Sequence, residues 1–443
     1  MKEDTLAEQG VQRFTRVIEP QEQGQYLRVP FEVPADCDTL KIRYDYQRHR
    51  LEPGTDGKTL REEINIIDLA LENPDHTLVG ASGSDRTDIL LHENHATPGY
   101  QPQPLRPGTW YLVLGAYRVA EAGCPVQVTI TAQPKEGLLL VGDTHTHTVH
   151  SDGWYTVEEA IARARQDRLD YLFVTDHNSM TSNPLLYSLP GLTVLPGVEI
   201  TYYGGHYNLY GVNRPVKTYV ANSREEVLAI LAEGKQSGAL AAINHPCDPG
   251  CPWTFGFGPE VASDLIEIWN GPFTPANQAA IDLWQQHLCR GRIWPAIGGS
   301  DCHRSELFRT YGAPATFLYA RSRSGSDILA AMKQGHAFVG MHTEAPGILM
   351  KMGEARMGDV YTGPEAPLLL TVSHVGSQDE VRVINQDGIL WQKRPGACHL
   401  FEASLSVAGS LFVRVEVRRS LPGLHTLASI SNPIYLGTRG PQG

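Results

Sequence analysis

The chain has 443 residues, more than one hydrophobic core usually holds, so we expect two or three domains. Its formal net charge of -12 argues against a broad nucleic-acid interface, which needs clustered lysine and arginine. The polar N-terminus and the lack of an apolar run of roughly 20 residues predict a cytoplasmic protein with no membrane partner. Seven cysteines, an odd number, do not form a disulfide framework.

Residues 1–135 predict a β-sandwich or jelly-roll-like domain. The segments Tyr26–Val33, Thr39–Tyr46 and Val126–Ala132 alternate apolar and polar residues, as half-buried strands do. Glycine, proline and aspartate cluster between such runs, for example at 52–57. Short strands separated by turn signals at this spacing are typical of a sandwich.

Residues 136–345 alternate strand-like and helical segments. Capping boxes at 156–159 and 223–226 predict the starts of two helices, and a third helix is predicted over 276–289. The predicted strands include Tyr171–Thr175, Ala239–Ile243, Leu265–Trp269 and Ile293–Ile297. This alternation predicts an α/β domain of parallel strands with helices outside, either open or closed into a barrel.

Residues 346–443 return to a β pattern and predict a small C-terminal β-sandwich domain. Its strongest predicted strands are Leu368–Val375, Glu380–Asn385, Phe401–Val407 and Leu411–Val417. The sequence therefore predicts a central α/β domain between two β domains.

Two histidine- and aspartate-containing segments follow apolar runs of the central domain. Residues 143–153 read DTHTHTVHSDG, and His145 and His147 in this segment are two positions apart. Residues i and i+2 of a strand point to the same face, so both imidazoles can reach one metal ion. Asp301 and His303 repeat this spacing in GGSDCH at 298–303, and Asp152 adds a carboxylate near the first pair.

Four more candidate ligands lie where other strand-like runs end or shortly after, namely His177, Glu199, His206 and His245. Because the carboxyl ends of parallel strands share one face, these side chains are expected to converge with the first five. Six imidazoles and three carboxylates are too many for one catalytic zinc ion and suit two or three ions. Nitrogen and oxygen ligands without thiolate favour zinc, manganese or iron.

This set of motifs resembles the PHP (polymerase and histidinol phosphatase) superfamily of metallohydrolases. The matching pieces are HTH at 145–147, SDG at 151–153, TDH at 175–177, GVE at 197–199, the histidine of GHYNLYG, NHP at 244–246 and SDCH at 300–303. The resemblance implies a distorted (β/α)7 barrel, here flanked by the two β-sandwich domains, with a trinuclear centre. The layout of the outer domains more loosely resembles the CehA/McbA-type branch, which includes carbamate and carboxylic ester hydrolases.

The resemblance also implies which ligands share an ion. Glu199 would serve two ions, and the three sets are His145, His147, Glu199 and Asp301; Glu199, His206 and His245; and Asp152, His177 and His303.

Such a cluster predicts hydrolysis of an ester of a small molecule by a metal-bridging hydroxide. A phosphoester is the first hypothesis for the substrate, with a carbamate or carboxylic ester as the alternative. A non-enzymatic metal- and glycan-binding protein is the alternative from another class. Candidates for assisting the leaving group are His206, His303 and Asp176, the last of which is also expected to orient a ligating histidine. Arg304 is the candidate to hold a phosphate or carboxylate.

Several neighbouring residues have plainer interpretations. His150 is assigned to the rim of the site, and Cys247 and Cys251, without a second pair, are interpreted as ordinary loop cysteines. The loop Cys247–Pro259 offers three aromatic residues that either line a pocket for an organic group or belong to the core.

Overall fold

The computed structural model describes residues 10–53, 59–212, 214–258, 261, 263–421 and 424–437. It divides into two compact units, Met1–Glu136 and Gly137–Gly443. Most of the turn cluster predicted at 52–57 lies outside the described residues, as does Pro259 of the aromatic loop. Across the described ranges, no helix is long and apolar enough to cross a membrane.

The described residues of the first unit form ten strands and a short 3-10 helix at Pro20–Glu22. The strands are β1 (Val11–Ile18), β2 (Tyr26–Val33), β3 (Cys37–Asp45), β4 (His49–Pro53), β5 (Thr59–Glu63), β6 (Ile66–Glu72), β7 (Leu78–Ser82), β8 (Asp88–His92), β9 (Gly108–Arg118) and β10 (Cys124–Pro134). Eight of them form two antiparallel sheets, with strand orders β1-β10-β3-β8 and β2-β9-β6-β7. The alternating apolar residues of both sheets share one hydrophobic core, in which Trp110 and Tyr44 are fully buried.

The second unit begins with the elements that carry the candidate ligands. They are β11 (Leu138–Asp143), α1 (Val157–Gln166), β12 (Tyr171–Val174), β13 (Thr193–Tyr202), β14 (Gly205–Tyr210), α2 (Arg224–Gln236), β15 (Leu240–Ile243), β16 (Leu265–Asn270), α3 (Pro275–Cys289), β17 (Ala296–Gly299), β18 (Ala315–Ala320), α4 (Gly325–Gln334) and β19 (Ala337–Gly340). A 3-10 turn occupies Asn183–Leu185.

Ten further strands complete the second unit. They are β20 (Gly347–Met352), β21 (Ala355–Arg356), β22 (Val360–Tyr361), β23 (Leu368–Val375), β24 (Asp379–Asn385), β25 (Gly388–Lys393), β26 (Cys398–Leu405), β27 (Phe412–Leu421), β28 (Leu424–Ser431) and β29 (Ile434–Leu436).

The helix starts follow from local side-chain chemistry. At α1 the Thr156 hydroxyl accepts from the Glu159 backbone N–H at 3.2 Å, and the Glu159 carboxylate accepts from the Thr156 N–H at 2.9 Å. The same reciprocal bonds join Ser223 and Glu226 at α2. Both predicted capping boxes are therefore confirmed, since each satisfies backbone donors that a helix leaves free.

A large mixed sheet positions the candidate site. Its strands run in the order β17-β16-β15-β14-β13-β12-β11-β18-β19-β28-β27-β24-β25. The expected parallel pairing holds within β11–β13 and within β15–β17, whereas β14 is antiparallel to both of its neighbours and β18 is antiparallel to β11. The expectation of uniformly parallel strands is thus wrong for β14 and for β18, which is antiparallel to both β11 and β19. For β14 the reason is that the two residues between β13 and β14 allow a hairpin but no crossover. A closed barrel stays a prediction.

The last strands of the chain continue this mixed sheet. Strand β28 pairs with β19, and one hydrophobic core contains Phe317 and Phe338 together with Val372 and Val415. The buried Asn432 side chain donates to the Ala296 and Ala337 carbonyls at 2.9 and 3.0 Å and accepts from the Ala296 N–H at 2.7 Å. The predicted division at residue 345 stays a prediction.

Candidate metal centre

The loops that follow β11 and β17 are joined by one buried carboxylate. Asp143 accepts hydrogen bonds from the backbone N–H groups of His145, Ser300 and Gly312 at 3.1, 3.0 and 2.8 Å. Burial raises the pKa of Asp143 to about 6. The three bonds bring the HTH segment beside the segment that carries Asp301.

Glu199 on β13 lies at the middle of the site and is fully buried. Five imidazoles surround its carboxylate, with nitrogen–oxygen distances of 3.2, 3.3, 3.0, 3.2 and 3.4 Å for His145, His147, His177, His206 and His245. The hairpin pairing of β13 with β14 places Thr201 opposite His206, which sets the position of His206 beside Glu199. The convergence expected from the strand ends is therefore present around this one carboxylate.

The remaining three candidate ligands extend the cluster toward the surface. Asp301 Oδ1 lies 3.0 Å from His147 Nε2, and Asp152 Oδ1 lies 3.2 Å from His303 Nε2. The same Asp152 oxygen is 3.6 Å from His177 Nε2. The Asp152 side chain is 60% exposed, so this carboxylate lies at the mouth of the site.

All nine predicted ligands fall into overlapping groups whose ligand atoms lie within 4.8 Å of one another. The groups are His145, His147, Glu199 and Asp301; His147, Asp152, His177 and His303; His177, Glu199 and His206; and His206, His245 and Cys251. The two larger groups are similar to two of the sets implied by the family resemblance. They differ in that His147 also approaches the outer group, and His177 also approaches Glu199. Assignment of each ligand to a particular ion stays a prediction.

Unsatisfied buried atoms show that these residues fit metal ions. Several have no hydrogen-bond partner among the described residues, namely His145 Nε2, both ring nitrogens of His147, Glu199 Oε2, His206 Nδ1 and Asp301 Oδ1. Buried polar atoms are rarely left without a partner, so such a concentration calls for an explanation. Cations bound among these nitrogen and oxygen atoms would satisfy them all, apart from the one ring nitrogen of His147 that carries the proton of a neutral imidazole.

The electrostatics of the cluster are those of strongly interacting opposite charges. Burial would raise the pKa of Glu199, but His145, His177 and His206 hold it well below the usual range of a carboxyl group. Burial would lower the pKa of His145, but Glu199, Glu267 and Asp301 hold it well above the usual range of an imidazole. The site therefore favours the charged state of its carboxylates, as ligation of cations requires.

Glu267 on β16 is a functional candidate that the sequence analysis missed. Its Oε1 lies 3.0 Å from His145 Nδ1, and its Oε2 accepts from the His245 backbone N–H at 3.0 Å. The side chain is fully buried. A carboxylate bonded to the far nitrogen of a ligating histidine fixes the orientation of the ring. The available signal was a lone acidic residue in the strand Leu265–Asn270, whose other residues before Asn270 are all apolar.

A second missed contact comes from Asn244, whose side-chain amide donates to Glu199 Oε1 at 2.8 Å.

The backbone conformation of two candidate ligands is also unusual, since His245 and Asp301 have φ values of 27° and 49°. Residues with side chains adopt this left-handed region at a cost, and such strain concentrates at functional sites.

Asp176 and Arg304, two of the proposed catalytic residues, lie beside the cluster. Asp176 accepts from the Thr148 N–H at 2.7 Å and from the Ser151 and Ser182 hydroxyls at 3.0 and 2.7 Å, rather than from a histidine ring. It therefore holds the loop that leads to Asp152. Arg304 is half exposed and donates to Glu306 at 2.6 Å.

The neighbouring residues also have defined places. His150 is on the rim, with Nδ1 2.8 Å from the Thr181 hydroxyl. Trp253 is buried, and Phe255 and Phe257 pack against the same core, so the aromatic loop contributes to the core. The Cys251 sulfur lies 3.4 Å from His245 Nδ1, a contact that the sequence did not indicate.

Comparison with known proteins gives structural matches only. A two-domain protein from Bacteroides vulgatus containing a predicted PHP-like metal-dependent phosphoesterase is 18% identical, with 66% of this chain and 95% of that chain covered and a TM-score of 0.40. A protein from Bifidobacterium adolescentis, described as a metal-dependent phosphoesterase, is 16% identical, with 38% and 90% covered and a TM-score of 0.27. An amidohydrolase from Chromobacterium violaceum, solved with bound sulfate, is 16% identical, with 38% and 89% covered and a TM-score of 0.28.

No family model matches this chain, and no curated protein matches it. The description of one structural match, the Bacteroides vulgatus protein, names the PHP superfamily, which the sequence motifs also resemble. Resemblance to the CehA/McbA-type branch stays a prediction. These identities and TM-scores are too low to assign a fold or a function to this chain, so the function proposed below rests on the side chains of the site.

Proposed function

We propose that this protein is a metal-dependent hydrolase that cleaves a phosphoester of a small molecule. The observation that carries the proposal is the Glu199 carboxylate, buried among five imidazoles that lie 3.0–3.4 Å from its oxygens. A buried carboxylate with this many nitrogen neighbours is suited to bridging two cations. A PHP-type barrel is the proposed architecture of the strands that carry these residues.

Two or three divalent ions, of zinc, manganese or iron, are the proposed cofactors. The inner position would be held by His145, His147, Glu199 and Asp301, and the outer position by Asp152, His177 and His303. A further position beside Glu199 would use His206 and His245. When bound, such ions activate water at neutral pH and stabilise the negative charge that develops on an ester oxygen.

The protein's own residues would fix the geometry of this centre. Glu267 holds the ring of His145 through Nδ1, which leaves Nε2 directed at Glu199. Asp176 fixes the Thr148 backbone and, with Ser151, the loop before Asp152. Because these supports are buried hydrogen bonds, the ligands are held in place before substrate binds.

The rim supplies the positive charge of Arg304 and a group of exposed apolar side chains. The Arg304 guanidinium lies 4.5 Å from the centre of the Trp154 ring. The backbone N–H of Trp154 donates to the His303 carbonyl at 2.8 Å. Arg304 is therefore placed beside the outer ligands, where it could pair with an anionic group of the substrate.

A carboxylic or carbamate ester is the second candidate substrate, favoured by a tight turn near His303. Reciprocal backbone bonds of 2.8 and 3.2 Å between residues 306 and 309 close this turn, and Leu307 and Phe308 at its tip are 88% and 75% exposed. Arg309 anchors the turn by donating to the Asp301 carbonyl at 3.1 Å. Exposed apolar residues next to a polar site suit a substrate with an apolar group.

The test is a parallel assay of the full-length protein loaded with manganese or zinc. Suitable substrates are p-nitrophenyl phosphate, its diester and p-nitrophenyl acetate. We expect turnover of a phosphate ester and its loss in Glu199→Gln, whose amide keeps the shape of the carboxylate but not its charge. Turnover of the acetate alone would favour the second candidate. Purified protein that binds less than two equivalents of transition metal would exclude the proposed centre.

A further inference from the structure

One cysteine lies beside the candidate metal centre although none of the nine predicted ligands is a cysteine. Cys251 Sγ is 3.4 Å from His245 Nδ1. One potential ligand atom from each of His206, His245 and Cys251 lies within 4.8 Å of the others. These three residues thus form a histidine–cysteine group on the edge of the Glu199 cluster.

The loop that carries Cys251 is closed on itself immediately after His245. The Asp248 N–H donates to the His245 carbonyl at 2.9 Å, and the Trp253 N–H donates to the Pro246 carbonyl at 3.0 Å. Cys251 lies inside this closed segment, so its distance from the His245 ring is set by backbone hydrogen bonds.

The same loop is packed on the hairpin that carries His206. The Thr254 N–H and hydroxyl both donate to the Gly204 carbonyl, at 2.8 and 2.9 Å. A side chain at Gly205 would meet the Trp253 backbone at 2.8 Å, so glycine is required for this close approach. The cysteine and both histidines are therefore held together by two packed segments.

The spacing fits ligands of one ion. With zinc–sulfur and zinc–nitrogen bonds of about 2.3 and 2.0–2.1 Å in tetrahedral geometry, ligand sulfur and nitrogen atoms are about 3.5 Å apart. The observed separation of Cys251 Sγ and His245 Nδ1 is 3.4 Å. An ion can thus contact both atoms with little movement of either residue.

The two nitrogens of His245 face different partners, because Nε2 lies 3.4 Å from Glu199 Oε1 while Nδ1 faces Cys251. A neutral imidazole has one free lone pair, since its other nitrogen carries the proton. His245 can therefore bind an ion beside Glu199 or an ion beside Cys251, but not both in its neutral form.

We propose that Cys251, His245 and His206 form an additional, thiolate-containing metal position that competes with the Glu199 cluster for both histidines. The competition for ligands rests on the proposed function of the Glu199 cluster. The existence of the thiolate-containing metal position does not depend on that function. A thiolate with two imidazoles favours zinc over manganese, so excess zinc is the expected ligand. Occupation of this position withdraws His206 and His245 from the catalytic set and lowers activity.

Cobalt(II) substitution of the full-length protein tests the position without relying on activity. We expect a near-ultraviolet sulfur-to-cobalt charge-transfer band in the wild type that is absent in Cys251→Ser. Cys247→Ser is the matched control, because Cys247 lies in the same loop and is in none of the ligand groups of the described residues. The control should keep the band.

Thiol labelling gives a second readout that needs no variant. Zinc should slow the labelling of Cys251 in the wild type by at least tenfold, as followed by mass spectrometry of the labelled peptides. Excess zinc should inhibit the manganese-loaded wild type and Cys247→Ser more strongly than Cys251→Ser.

The outcomes separate the two proposals. Cobalt that binds without the band, with equal labelling of Cys251 in the presence and absence of zinc, would overturn the thiolate position and leave the Glu199 centre intact. The contact between Cys251 Sγ and His245 Nδ1 would then be a hydrogen bond without a role in metal binding. Failure of the wild type to bind cobalt or zinc at all would overturn both.

Discussion

His145 and Glu267 form a buried pair in which the imidazole Nδ1 lies 3.0 Å from the carboxylate Oε1. The pair fixes which nitrogen of His145 faces the rest of the site, since Nε2 then lies 3.2 Å from Glu199. The orientation of this ligand is thus set by a residue on a different strand, 122 positions away in the chain.

The first prediction concerns this pair. Glu267→Gln should weaken binding of the tightest metal ion by about 10–100-fold, because the amide no longer stabilises the ligating form of His145. Competition with a chromophoric chelator measures the affinity. Glu158→Gln, which changes an exposed carboxylate on α1, is the control and should bind metal like the wild type. Equal affinities for the two variants would remove Glu267 from the proposed centre.

The second prediction compares two histidines of the same motif. His147→Ala should lose most of the thermal stabilisation that zinc or manganese gives to chelator-treated protein. Ligand at a hundred times its dissociation constant stabilises a folded protein by about 2.7 kcal/mol. His150→Ala should keep this stabilisation, because His150 is on the rim and contacts the Thr181 hydroxyl. Melting curves with and without added metal provide the measurement. The same loss in both variants would contradict the assignment of His147 as a ligand.

The third prediction concerns a buried ion pair away from the site. The two carboxylate oxygens of Glu416 lie 2.7 Å from Arg414 Nη1 and 2.7 Å from Arg418 Nε. The Arg414 side chain is itself buried. Glu416→Ala should destabilise the second unit by about 3–5 kcal/mol, because it removes the carboxylate that pairs with the buried Arg414 charge and leaves the neutral Gln285 side chain as hydrogen-bond acceptor. Urea denaturation at neutral pH measures the change, with the exposed Glu402→Ala as control.

The pH dependence of this pair has a defined sign. Burial would raise the pKa of Glu416, but Arg414 and Arg418 lower it below the ordinary value. A lowered carboxyl pKa contributes stability that is present above the unfolded-state value of about 4.3 and is lost as the pH falls through the folded-state value. The advantage of the wild type over Glu416→Ala should therefore shrink only below about pH 4.3. An advantage that already shrinks between pH 7 and 5 would be the contrary result.

The fourth prediction addresses the apolar rim. Replacing Leu307 and Phe308 together by serine should leave the melting temperature unchanged, because both side chains are exposed. The KM for substrates with an apolar group should rise about tenfold, equivalent to about 1.4 kcal/mol of lost apolar contact. The exposed Leu78→Ser serves as control. A KM that stays the same for p-nitrophenyl acetate and p-nitrophenyl phosphate would show that the turn does not bind substrate.

The sequence predicted the members of the cluster because their positions relative to the strands are local properties. His145 and His147 follow β11 with strand-like spacing, and both are buried beside Glu199. The capping boxes were predictable for the same reason, since each is formed within four consecutive residues.

The residues that support the cluster could not be predicted because their partners are distant in the chain. Nothing near Glu267 shows that it faces His145 rather than the opposite side of its strand. Asp176 follows a strand, as the ligands do, yet it binds hydroxyl groups of Ser151 and Ser182. Cys251 meets His245 through a loop conformation that composition does not specify.

The amide of Asn432 bonds to backbone groups of both Ala296 and Ala337, and β28 just before it pairs with β19. Ala296 begins β17, the strand that leads to Asp301. Recombination between homologous genes near codon 345 would exchange the C-terminal strands. The exchange would therefore also replace Asn432, which holds the start of the strand that leads to Asp301. Chimeras of this protein should retain activity only when residues 296–301 and 428–432 come from the same parent.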